Sequence, residues 1–197
     1  MKKKILIFIC LLAGLAVAHP HVFIDATIDL DFDEKGFVGV RNKWVFDLIY
    51  SQAMIAAGDK NQNGIFEADE LPLYREQVVE AANEFSRFNY IGDGSQFFSP
   101  HEAKDLKVSI SKEGRLVIEF LNSFDIPALS NDYTMLVVAV TDPTNYILIT
   151  TDMEQSKINA PDTIDVEYFV DSLSDLTQFK NFSSSVKGLY VRFKKAE

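Results

Sequence analysis

Twelve residues, Asp59 to Glu70, carry oxygen ligands at the spacing that a hard divalent cation requires. Asp59 stands at position 1, Asn61 at position 3 and Asn63 at position 5. Gly64 follows at position 6, where the chain turns sharply and a Cβ would be strained. Ile65 offers its carbonyl at position 7, Glu67 binds at position 9 directly or through water, and Glu70 supplies the bidentate carboxylate at position 12. Phe66, between them, is apolar, as the short packing strand of such a loop demands. This is the EF-hand pattern, and its donors suit Ca²⁺. Asparagine at positions 3 and 5 leaves only Asp59, Glu67 and Glu70 to bring charge. Weak binding follows, in the range of about 10⁻⁴–10⁻³ M typical of extracellular modules. Sensors pair two such loops, so a single loop is expected to be a structural calcium staple, or a loop that has lost its ion, rather than a switch.

Nitrogen ligands gather at a second place. Residues 1–18 read as a cleaved secretory signal: Lys2, Lys3 and Lys4 are charged, Ile5 to Val17 are apolar, and Ala16-Val17-Ala18 is a small-x-small cleavage site. The apolar run is too short to span a bilayer. Cleavage would leave His19-Pro20-His21 at a free, exported end, with two imidazoles and the new α-amine as ligands. In a strand His19 and His21 point the same way with Cα atoms about 6–7 Å apart, close enough to share one ion. Asp25 shares their face but lies about 13 Å further on, too far to join them. Pro20 has no amide proton, so chelation through successive deprotonated amides is blocked. A brace of the α-amine, His19 and His21 remains, and such donors suit Zn, Ni, Co or Cu(II). His101 is the only other imidazole, and a solvated loop position is expected for it.

The bulk numbers narrow the class. Without the signal 179 residues remain, which suits one medium domain. Loss of three lysines takes 19 Lys+Arg to 16 against 29 Asp+Glu, a net charge of −13. This argues against nucleic acid and against an anionic membrane surface as partners. The one cysteine, Cys10, falls inside the signal and lacks the small residues that precede a lipidated cysteine. The exported protein is therefore expected to have no disulfide, no thiolate ligand and no direct membrane anchor. A cleaved signal without a cysteine framework fits the periplasm of a Gram-negative bacterium.

These residues need elements to hold them. Residues 20–32 alternate, with Val22, Ile24, Ala26, Ile28, Leu30 and Phe32 on one face and His21, Asp25, Asp29 and Asp31 on the other. A turn at Glu34-Lys35-Gly36 leads to a second strand over 37–46, with Val38, Val40, Trp44 and Phe46 in step. The period then becomes helical through Phe46, Ile49, Tyr50, Ala53 and Ala57, ending at Gly58. A second helical pattern runs through Leu71, Tyr74, Val78, Ala82 and Phe85, with Pro72 tolerated in its first turn. Strands are predicted over 106–110, 116–120, 134–141, 146–151, 164–170 and 189–193; residues 171–185 read as a loop with one helical turn. The expected fold is mainly β with an α insertion: an antiparallel β-sandwich-like domain over 19–197, carrying an inserted EF-hand-like helix-loop-helix at about 46–90.

The assembled pattern resembles the bacterial domain of unknown function 1007 family. The likeness rests on His19-Pro20-His21-Val22-Phe23 after the signal, Lys43-Trp44-Val45-Phe46-Asp47, the Asp59–Glu70 loop, and Asp142-Pro143-Thr144-Asn145-Tyr146. The resemblance implies a periplasmic component of a transport system, encoded beside nickel/cobalt-type permeases and in some members linked to zinc acquisition. The resulting expectation is a non-enzymatic metal-binding accessory that hands zinc, nickel or cobalt to or from an inner-membrane metal permease. The alternative is a calcium-stapled structural or interaction module with no transition-metal role. An enzyme is not expected, since the chain shows no Ser/His/Asp or Cys/His arrangement, no phosphate loop and no dense metal cluster. A copper oxidative enzyme built on the histidine brace would need a further histidine within range. A two-lobed solute-binding protein would need a longer chain with alternating βα units.

Overall fold

The computed structural model describes residues 21–173 and 176–196. The expected signal, its cleavage site and His19 lie outside the described residues.

The first hairpin forms as its alternation dictates. Strand β1 (Val22–Asp33) buries every second side chain from Val22 to Phe32, and β2 (Gly36–Phe46) pairs with it antiparallel. In β2 the core face is filled by Phe37, Val40, Trp44 and Phe46, while Val38 is only half-buried. A register slip between Phe37 and Gly39, opposite the strand that follows β2 in the sheet, moves Val38 off the expected face. Helix α1 (Leu48–Gly58) starts at once, with Asp47 as its cap accepting from the Tyr50 amide. The second helical pattern is not a regular helix. A short α2 (Leu71–Tyr74) widens into a π-helical stretch at Arg75–Glu80, and Asn83–Phe88 ends in a kink with Ser86 and Arg87 at positive φ.

The remaining strands are β3 (Asn89–Gly92), β4 (Phe97–Phe98), β5 (Ala103–Ile110), β6 (Leu116–Pro127), β7 (Thr134–Val140), β8 (Ile147–Thr151), β9 (Lys157–Asn159), β10 (Ile164–Ser172) and β11 (Lys187–Lys195). They make two sheets. One runs β5-β6-β2-β1-β8, with β9 following β8 along β1; the other runs β10-β11-β7-β3-β4. The protein is thus mainly β in two sheets with a helical segment after its first hairpin. One detail departs from the expectation. β8 and β9 pair with β1 in parallel, so the sheets are not wholly antiparallel. The chain also changes sheet at Asp142–Asn145, a crossing the strand ranges did not specify: β7 belongs to one sheet and β8 to the other.

The inward face of β1 serves two cores. Ile28, Leu30 and Phe32 join Val138, Leu189 and Val191 of the opposite sheet. Val22, Ile24 and Ala26 instead join Trp44, Phe46 and Phe120 beneath Tyr74 and Val79 of the helical segment. The helices therefore take the place of the second sheet over one end of the first. Each large side chain fully buried here contributes about 1.5–3 kcal/mol. Near the boundary lies a polar network that the hydrophobic pattern did not announce. Asn42 and Asn89 exchange amide hydrogen bonds at 2.8 and 2.9 Å, Asn122 donates to Asn89 at 3.0 Å, and Arg87 joins Asn122 to Glu80.

Candidate functional site

Two places carry candidate ligands, at opposite ends of α1. At its C-terminal end the Asp59–Glu70 loop is wrapped around its own carboxylates. Asp59 accepts the amides of Asn63 and Gly64 at 3.1 and 2.9 Å. Glu70 accepts those of Lys60 and Glu67 at 2.8 and 3.1 Å. Asn63 donates its side-chain amide to Glu67 at 2.8 Å, and Asn61 does so at 3.3 Å. Gly64 sits at φ 76°, the left-handed conformation that its place in the loop requires. Phe66 packs edge-on against Tyr74 at 5.0 Å and fastens the loop to the core. Gly58 is needed for a different reason: the Tyr74 hydroxyl lies where its Cβ would be.

The electrostatics of this loop are one-sided. Asp59 is 7% exposed and Glu70 3%. Among the described residues none of Asp59, Glu67 and Glu70 has an ion-pair partner, while eight other pairs are formed elsewhere. Burial first, and then the charges of Asp59 and Glu70, push the Tyr74 phenol up to about 12. The Asn63 amide, the Glu70 side chain and the Asn61 amide hold the Glu67 carboxyl below its ordinary range. The donors are oxygens throughout, as a calcium-sized ion would require. Among the described residues, however, no three His, Cys, Asp or Glu side chains converge as they would around an ion. Ile65, the expected carbonyl donor, has an exposed side chain, and its amide is held by Asn63 at 2.7 Å.

At the other end of α1, His21 is exposed but held. Its amide donates to the Tyr146 carbonyl at 2.9 Å, and its ring lies 5.1 Å from the Tyr146 ring. Tyr146 is placed by Asp142, which is 5% exposed. One Asp142 oxygen accepts the Thr144 amide and hydroxyl at 2.8 and 2.7 Å, and the other accepts the Ile147 amide at 2.8 Å. Just past the end of β2, Asp47 exchanges backbone and side-chain bonds with Phe23: Phe23 N–H donates to the Asp47 carboxylate at 3.0 Å, and Asp47 N–H to the Phe23 carbonyl at 2.9 Å. Partial burial pushes the Asp47 carboxyl up, but the amides of Phe23, Tyr50 and Ile49 and the charge of Arg115 together bring it below its ordinary value. Arg115 completes the support by pairing with Asp25 at 2.7 Å and donating to the Val45 and Phe46 carbonyls.

The structure therefore brings together three segments that are distant in sequence: His21–Phe23, Trp44–Asp47 and Asp142–Tyr146. Behind them opens a pocket of about 580 Å³ between α1, the π-helical stretch and the end of β1 and β2. Ile49 and Tyr146 are exposed at its mouth, while Phe23 and its pairing partner Leu148 are exposed on the outer face of the sheet beside His21. His101 does not belong here. Its amide bonds to Ser123, which pairs with Gly39, which pairs with Asp31. Asp31 is about 33 Å along β1 from His21 at the rise of a strand. The roles of Asp47, Asp142 and Tyr146 were missed by ligand spacing, although all three stand in the segments that carry the family resemblance.

Residues 4–175 match the family described as Protein of unknown function (DUF1007), and the chain belongs to it. No curated protein matches the chain. Among the described residues no helix is long and apolar enough to cross a membrane.

Proposed function

We propose that this protein is a periplasmic metal-binding accessory of a transition-metal transport system, with zinc, nickel or cobalt as its cargo and an inner-membrane permease as its partner. His19 and His21, together with the α-amine freed by signal cleavage, are the ligands in this reading. The observation that carries it is the convergence at His21. Three of the segments that define the family resemblance meet there, and they hold one imidazole exposed on a fixed backbone. Imidazole and amine donors suit these metals. Three ligands leave coordination positions open, as release of a cargo requires, whereas a closed four-ligand site would favour a structural role. The exposed apolar side chains of Phe23, Leu148 and Tyr146 beside His21 offer the permease a contact surface next to the ligands.

The test is a His19→Ala/His21→Ala variant with its processing and fold checked. It is expected to lose nickel or zinc binding by calorimetry and to impair growth when the metal is scarce or in excess. Wild-type affinity for both metals in the variant, with no growth phenotype, overturns the reading.

A second reading has its own support. Asp59, Glu67 and Glu70 of the loop, two of them buried, have no ion-pair partner among the described residues, and an EF-hand-like calcium staple would supply a cation. In this reading Asp59, Asn61, Asn63, Glu67, Glu70 and the Ile65 carbonyl hold the ion, and the helical segment is stiffened by it.

A further inference from the structure

We propose that the pocket behind His21 is a binding site for a small molecule with an apolar body and a cationic head. Its volume of about 580 Å³ falls in the range of small-ligand sites, about 300–1,000 Å³. The floor is the inward face of the first hairpin, Ile24, Trp44 and Phe46, and the far wall is Val78, Phe85 and Phe88. These are flat, rigid or branched apolar surfaces that fit a ring or a short hydrocarbon. The lip is polar, with His21, Asp142, Thr144 and Tyr146; beyond it Gln77 stands on the π-helical wall and the buried Trp44 Nε1 of the floor has no hydrogen-bond partner among the described residues.

The charge of the lip selects the head. No lysine or arginine lines the pocket among the described residues, and Asp142 is the one carboxylate that does. The groups bonded to Asp142 are amides and a hydroxyl, which hold its carboxylate without neutralising it. Tyr50 also lines the site. The faces of Tyr50 and Tyr146 are electron-rich surfaces of the kind that attract a cation once its water is removed. An anionic head would meet Asp142 with no counter-charge. A cationic head arises from two sources, an organic ammonium or a divalent metal already carried in an apolar chelator. The site does not require that His19 and His21 bind a free ion.

The experiment is calorimetric titration of the processed protein with three probes that share one ring: tryptamine, 3-methylindole and indole-3-acetate. A fourth probe is the one-to-one nickel–1,10-phenanthroline complex, and nickel alone is run separately to read the histidine ligands. Tryptamine or the nickel chelate is expected to bind at one site at least tenfold more tightly than indole-3-acetate. Tryptamine alone doing so assigns the ammonium source, and the chelate alone assigns the metal complex. Ala53→Trp and Ala81→Trp place bulk in the pocket from exposed positions on its two helical walls, and each is expected to weaken binding at least tenfold with an unchanged melting temperature. Asp142→Asn keeps an acceptor for one of the two loop amides and, with its fold checked by melting temperature, is expected to erase most of the preference for the cation. The proposal is overturned if no cationic probe binds, if indole-3-acetate binds as tightly, or if both tryptophan variants fold and bind as wild type. Failure of nickel alone to bind overturns the histidine site and leaves the tryptamine result standing.

Discussion

The two ends of α1 are built by opposite means. At the C-terminal end, every hydrogen bond that shapes the Asp59–Glu70 loop runs between residues no more than ten apart. At the N-terminal end, His21 depends on Tyr146, and Phe23 depends on Asp47. A local site survives as a pattern of spacings. A site assembled from distant segments survives only as separate short motifs whose meeting is not written in any of them. The first end is thus expected to tolerate changes elsewhere in the fold, while the second is expected to weaken in proportion to the support removed.

The largest effect is expected where that dependence is greatest. Asp142→Ala leaves the part-buried amides of Thr144 and Ile147 without their carboxylate acceptor and is expected to destabilise the fold by about 2 kcal/mol, measured by urea unfolding. The same variant is expected to weaken metal binding at His21, because Tyr146 is no longer placed against it. Retained stability would show that the Asp142–Tyr146 turn is held by something other than this carboxylate.

Calcium sharpens the comparison from the other side. Calcium at ~10 times its dissociation constant is expected to stabilise the wild type by about 1.4 kcal/mol, and Glu70→Gln is expected to remove that gain. The metal affinity of His21 should not change in this variant, since the loop shares no bond with the N-terminal end. A melting temperature that stays constant across millimolar calcium in the wild type counts against the staple.

Asp47 gives a smaller, pH-dependent effect of about 1 kcal/mol as a helix cap. Its carboxyl lies below its ordinary value of 3.8 in the folded protein. A depressed carboxyl adds stability that is fully present above the unfolded value and is lost as pH falls through the folded one. Unfolding followed downward from about pH 5 should therefore show wild type losing this contribution below about pH 4. Asp47→Asn keeps an acceptor for Tyr50 and should lack that part of the acid slope. Identical acid slopes would remove Asp47 from the account.

The smallest expected effect is that of Tyr146→Leu. It keeps the backbone bond to His21 and an apolar neighbour but removes the aromatic face. Nickel or zinc affinity is expected to fall only a few-fold, read by calorimetry, with stability nearly unchanged.

Alternation over Val22–Phe32 was enough to determine β1, because a strand half-buried against a core must present every second residue to it. The change of period after Phe46 likewise determined α1, and the polar run Asp59–Glu70 with Gly64 marked the turn that follows it. Each of these depends on interactions within a few residues. Val38 escaped the pattern because a bulge is set by the partner strand. The second helix widened and kinked between Arg75 and Phe88, where packing on Trp44 and Phe120 and the Arg87–Asn122 bond override helix periodicity. Only the tertiary structure decided that β8 runs parallel to β1, since strand direction is settled by which edge of the sheet is free when the chain returns from β7. That one pairing places Tyr146 on His21 and closes the lip of the pocket, joining residues more than a hundred positions apart whose attraction has no local signature.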